Sequence, residues 1–227
     1  MGTNIDLPIG GKYSSSFSLY ETGTENIAET QHCAKEVREA TMYRPWTLFI
    51  EYILTLNHED KSTDEHLRFI ESLKGCGTDM AELEVALCDA YSHGPHAYQD
   101  ERPRENMNFV RLNTFMAKLT QLSIIDFGYV PLSLLDSALI QYQIITNTFN
   151  RLEDLLPSAV AWILCYGKEI HKKCSEASSG YNTELWNEWK GSLEDAQSCN
   201  LLEKTSECAR KGWEQMECLE KLAIKLS

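Results

Sequence analysis

At 227 residues the chain is long enough to bury one sizeable core. Its 43% apolar and 24% charged residues match ordinary globular proteins, which excludes a disordered or fibrous chain over most of the length. Acidic residues outnumber basic ones 34 to 21, a formal charge of -13, so the surface repels phosphate backbones and nucleic acid is not an expected partner.

Residues 1–23, with Gly10-Gly11 and Ser14-Ser15-Ser16, carry too little apolar periodicity to pack and read as a flexible N-terminal arm. From residue 24 apolar side chains recur at helical spacing, and residues 24–227 read as one all-helical domain. Ile27, Ala34, Val37 and Thr41 mark a first helix. Pro45 suits the first turn of a second, whose stripe is Trp46, Phe49, Ile50, Ile53 and Leu54. Ser62 or Thr63 caps a third, which Gly75 and Gly77 end. A fourth runs from about Asp79 to Tyr91, before a break with Gly94, Pro95 and Pro103.

The fifth helix carries Phe109, Leu112, Phe115, Met116, Leu119 and Leu122, and the sixth runs from Pro131 through Leu135, Ala138, Leu139 and Ile145. Pro157 is read as opening the seventh, with Ala159, Trp162, Ile163, Tyr166 and Ile170 on its buried side, and a polar hinge follows from Cys174 to Tyr181. The last two are built around Trp186, Trp189 and Leu193 and around Leu202, Ala209, Trp213, Met216 and Leu219. No segment alternates long enough for a strand, so the expected fold is all-α, a bundle-like domain of about nine helices.

No stretch approaches the roughly 18 to 20 apolar residues of a membrane span, and the N-terminus lacks the apolar core of a secretory signal. The expectation is a cytoplasmic protein without membrane attachment. Eight cysteines with no C-x-x-C pair and no secretory route read as free, mostly buried thiols. No metal and no cofactor are expected, since nucleotide-binding glycine motifs are also missing.

Several runs carry a family resemblance: Leu112-Asn113-Thr114-Phe115-Met116-Ala117-Lys118-Leu119, Asp126-Phe127, Ala159-Val160-Ala161-Trp162-Ile163-Leu164-Cys165-Tyr166-Gly167 and Trp189-Lys190. With Trp46-Thr47-Leu48-Phe49 upstream, the chain after residue 25 resembles a fungal family of small helical proteins known only as a domain of unknown function. The resemblance implies a fungal source and permits a place in secondary metabolism. It implies no catalytic residues. Lys118 stands where the family is expected to carry Arg, and Cys88-Asp89 where it is expected to carry Arg-Glu.

Two groups of residues could carry chemistry. His93-Gly94-Pro95-His96, near Asp89, Asp100 and Glu101, places two imidazoles in a loop, where they could share a divalent metal, act as acid and base, or simply be solvated. Asn113, Lys118, Phe115 and Trp162 could line an apolar pocket between the long helices, with Asp126 and Tyr166 as proton-handling groups at its edge. The plainer reading makes Trp162 and Tyr166 core aromatics and Asp126 a turn residue.

Two functions follow. One is a small-molecule enzyme without a redox cofactor, an isomerase, cyclase or lyase acting on an apolar metabolite, with Asp126, His93, His96 and Tyr166 as catalytic candidates. The other is a helical interaction or regulatory module docking through its Trp-bearing helices, and a homodimer is compatible with either. The enzyme requires an enclosed cavity of roughly 300 Å³ or more with convergent polar groups; the module requires an exposed apolar patch.

Overall fold

The computed structural model describes residues 43–55, 61–95, 102–141, 149–199 and 201–226. The expected arm and the first helix lie outside the described residues. Among the described residues there are eight helices and no strand: α1 (Tyr43–Ile53), α2 (Lys61–Gly75), α3 (Ala81–Ser92), α4 (Arg102–Gln121), α5 (Val130–Leu135, continuing as a π turn over Asp136–Ile140), α6 (Phe149–Ser175), α7 (Thr183–Ser198) and α8 (Glu203–Leu226). The all-α expectation holds, and these eight correspond to the second through ninth of the helices read from periodicity.

Helix α6 is the axis of the fold, packing against α4, α8, α5, the π turn and α7. Leu152, Leu156, Ala159, Val160, Trp162, Ile163 and Ile170 are all buried along it. Helices α1, α2 and α3 gather around α4 on one side, while α7 pairs with α8 on the other. One continuous cluster of buried side chains runs from Trp46 to Leu219.

Ser62 and Thr63 lie inside α2, which begins at Lys61, and so do not cap it as expected, but the glycine signal at its other end is realised in the backbone. Gly77, at φ +79°, ends α2: Thr78 N–H bonds to Leu73 O at 3.1 Å and Gly77 N–H to Lys74 O at 2.9 Å, the paired bonds of a Schellman cap. Helix α4 closes in the same way around Ser123, and α6 around Ala177, each a non-glycine residue at positive φ. Asn182 starts α7 by accepting the N–H of Leu185 at 2.8 Å.

Three further expectations are corrected. Pro157 does not open its helix but lies inside α6, because Leu152 and Leu156 extend the buried stripe two turns upstream and their packing offsets the bond that proline cannot donate. The sixth expected helix is not α-helical throughout: Gln141 N–H bonds to Asp136 O, five residues back, and Ile145 lies outside the described residues. The polar hinge from Cys174 to Tyr181 is corrected only at its ends: Ser175, Glu176, Ala177, Ser179 and Gly180 are exposed, but Cys174 and Tyr181 are both buried and the Tyr181 hydroxyl donates to Gly128 O at 3.1 Å.

The seven described cysteines are free, but only Cys174 is buried; Cys76 and Cys218 are exposed and the others half-buried. Among the described residues no helix is long and apolar enough to cross a membrane.

Candidate functional site

The residues singled out from sequence fall in three places. The first is the interior of the α4/α6 seam. Asn113 is 0% exposed, and its side-chain amide donates to Phe109 O at 2.9 Å while its Oδ1 accepts the Trp162 indole N–H at 2.9 Å. Trp162, also 0% exposed, thereby has its single donor satisfied in the core. Phe115 is equally buried and meets the Phe49 ring edge-on at 6.1 Å between centroids. These three groups close the seam rather than line a space. Lys118 is half-buried on the same helix, close enough to Cys165 for its charge to oppose the upward shift that burial imposes on that thiol.

The second place is the turn after α4. Exposed Asp126 accepts the Gly128 N–H through Oδ1 at 2.8 Å, while Gly128 O receives the Tyr181 hydroxyl and, at 3.3 Å, the Lys173 ammonium. That ammonium stands 5.6 Å from the Tyr166 ring centroid and 5.5 Å from that of Tyr181, within cation–π range of both. A Cβ on Gly128 would come within 2.7 Å of Lys173 Nζ and 2.8 Å of Asp126 Oδ1, so glycine is what lets both groups approach. Tyr166 meets Trp162 edge-on at 6.2 Å, and burial first, then the Asp126 and Glu169 charges, keeps its phenol protonated above the usual range. Asp126 and Tyr166 therefore belong to one cluster, with Lys173 and Tyr181 as members the sequence reading missed.

The third place is a cleft of about 310 Å³ between α1, α3 and α4. Ile50, Leu54, Ala86, Ala90, Phe109 and Leu112 form its apolar wall, and Thr47, Glu51, Asp89, His93 and Asn108 add polar groups. It exists because α3 presents Ala86 and Ala90, one turn apart, where larger side chains would fill the space. His93 caps the end of α3, and its Nδ1 lies 2.7 Å from Asp89 O. A carbonyl can only accept, so Nδ1 carries the proton and the lone pair of the neutral ring is at Nε2, the form of a general base. His96 lies outside the described residues. Among the described residues no group of three or more His, Cys, Asp or Glu side chains is placed to hold a metal ion.

The cleft and the Gly128 turn lie toward opposite ends of α4, so His93 does not meet Asp126 or Tyr166 in one site. From Leu112 to Gln121 is about 14 Å along the axis, nine residues at about 1.5 Å each. Thr47, Glu51 and Asn108 are functional candidates that sequence reasoning passed over. Their only signal was polar character beside the apolar stripes of α1 and α4.

The family model described as "Protein of unknown function (DUF3632)" matches residues 27–215. The chain belongs to this family. No curated protein and no solved structure matches it. All three groups of residues lie within the DUF3632 span, so the cleft and the Gly128 turn are parts of the family domain and not of a flanking extension.

Proposed function

We propose that the protein is a small-molecule enzyme without a redox cofactor, an isomerase, cyclase or lyase of secondary metabolism, whose apolar substrate lies in the cleft between α1, α3 and α4. The observation that carries this reading is the cleft itself: about 310 Å³, apolar-walled and edged by an imidazole whose tautomer is fixed by Asp89 O. His93 Nε2 is the proton-handling atom, and the apolar wall supplies shape. The rival docking module draws less support. Trp186 and Trp189 are 2% and 0% exposed, and their indoles donate to Glu220 at 2.8 Å and to Asp136 at 2.9 Å, although Trp213 is only half-buried.

Metabolite profiling of a strain lacking the gene tests the reading. The expected result is one apolar compound that accumulates in the deletion and is bound by the purified protein. An unchanged metabolome under conditions where the gene is expressed would overturn it.

A further inference from the structure

Asn108 stands half-buried in the lining of the cleft, one turn before Leu112 on α4. Its amide is oriented by a residue outside the lining. Arg111 donates through Nη1 to Leu54 O at 2.6 Å, satisfying a carbonyl at the end of α1, and the same nitrogen reaches the Asn108 amide at 3.4 Å. A guanidinium has donors and no acceptor, so the amide atom turned toward it is Oδ1, and the two N–H donors on Nδ2 are at the opposite end of the group. Among the described residues the contact with Arg111 is the one hydrogen bond of the Asn108 side chain, and both donors remain for whatever occupies the cleft.

We infer that the cleft takes an uncharged apolar molecule whose carbonyl oxygen accepts an Asn108 Nδ2–H, with Arg111 as the positioning residue that holds the amide. This rests on the reading of the cleft as a ligand site. Ile50, Leu54, Phe109 and Leu112 take the hydrocarbon part, and Phe109 is fixed by stacking on Tyr91, with ring centroids 5.5 Å apart and planes at 30°. A donor calls for an acceptor, and a carbonyl oxygen supplies one without bringing a donor of its own that an apolar wall would leave unpaired. A carboxylate or phosphate would also accept, but among the described residues no lysine or arginine lines the cleft to offset its charge. The volume, at the small end of the range for ligand sites, suits a single ring with a short chain.

The test is calorimetric titration of the full chain with 4-phenylbutan-2-one and 4-phenylbutan-2-ol, repeated on Asn108→Asp, Arg111→Met and Ala90→Trp. Asn108→Asp keeps the side chain's shape, replaces its donors by an acceptor and still faces Arg111, so this variant folds whether or not the bulkier Ala90→Trp does. The ketone is expected to bind Asn108→Asp about tenfold more weakly than the parent, through one lost hydrogen bond and two acceptors set face to face. The alcohol can turn its own hydroxyl to the new carboxylate, and its affinity is expected to change by no more than about twofold. Arg111→Met lets the amide rotate and is expected to weaken the ketone about threefold. If Asn108→Asp weakens both probes alike or leaves the ketone unchanged, the carbonyl inference falls while the cleft remains a ligand site; unchanged ketone binding in folded Arg111→Met removes the positioning role. If neither probe binds the parent at about 10 mM, or if binding is unchanged in folded Ala90→Trp, the cleft reading falls and takes the inference with it.

Discussion

The two ends of α4 are built from the same kinds of residue and arrive at opposite results. Toward its C-terminus and in the seam with α6, polar groups face one another: Asn113 meets Trp162, Gly128 meets Asp126, Lys173 and Tyr181, and the hydrogen bonds close inside the fold. Toward its N-terminus, Asn108, Phe109 and Leu112 face Ala86 and Ala90 across a space that the neighbouring helices leave unfilled. Polar character near an apolar stripe therefore does not distinguish a site from a lock. What distinguishes them is whether the facing helix supplies bulk and a partner, and that is a property of the pair.

The largest break in this contrast comes from the buried lock. Trp162→Phe removes the donor to Asn113 and leaves a buried amide oxygen unsatisfied, with an expected loss of about 2–3 kcal/mol in urea unfolding. Adding Asn113→Leu is expected to return part of that loss, since removing both polar partners is less costly than stranding one. If Trp162→Phe leaves stability unchanged but abolishes ligand binding, the assignment of this pair to structure is wrong.

The Gly128 turn comes next. Gly128→Ala forces its new methyl against Lys173 Nζ and Asp126 Oδ1, and the flexible lysine is the group that yields. The expected cost is about 1 kcal/mol, the worth of one displaced charged hydrogen bond, read from the same unfolding curves.

The same end of the molecule is expected to be its alkaline weak point. Burial pushes the Cys174 thiol from 9.0 up to about 11 and raises the Tyr181 hydroxyl above its ordinary value of 10.0. Both groups hold protons in the folded state that the unfolded chain releases, so their contribution is present in full below about pH 9 and is lost as pH rises through the folded values. Stability followed by urea midpoint should decline from about pH 9 upward, and less steeply in Cys174→Ala than in the parent. An equal slope in both would remove Cys174 from the account.

Much of this architecture is legible in the sequence, for reasons that also explain what is not. Helix positions followed from periodicity because each apolar stripe is a local pattern, and Gly77 marked the end of α2 because its positive φ excludes most other residues. The interior placement of Pro157 was not legible: proline is equally at home in a first turn, and only the burial of Leu152 and Leu156 shows that the helix begins at Phe149. The π turn was hidden because Ala138 and Leu139 fit an α-helical stripe equally well. Asn113 and Trp162 were read as ligand contacts because a polar group on an apolar face looks the same from sequence whether it awaits a ligand or an indole. The cleft was missed for the converse reason: it is made by what Ala86 and Ala90 lack.

The smallest expected effect on stability belongs to the cleft end, and there it is paired with the largest expected effect on function. His93 is exposed and its Nδ1 bonds the last turn of its own helix, so His93→Gln should move the unfolding free energy by no more than about 0.5 kcal/mol. Glutamine cannot take up and return a proton, and loss of a general acid or base typically lowers turnover by about 10²-fold or more. A deletion strain complemented with His93→Gln is therefore expected to keep normal protein levels and still show the metabolite change of the deletion. Complementation by Gly128→Ala should restore the metabolome, because that turn serves the fold and its loss is too small to unfold the chain. If the two outcomes are reversed, the chemistry belongs to the Asp126, Tyr166 and Lys173 cluster at the other end of α4, and the cleft is a gap in packing.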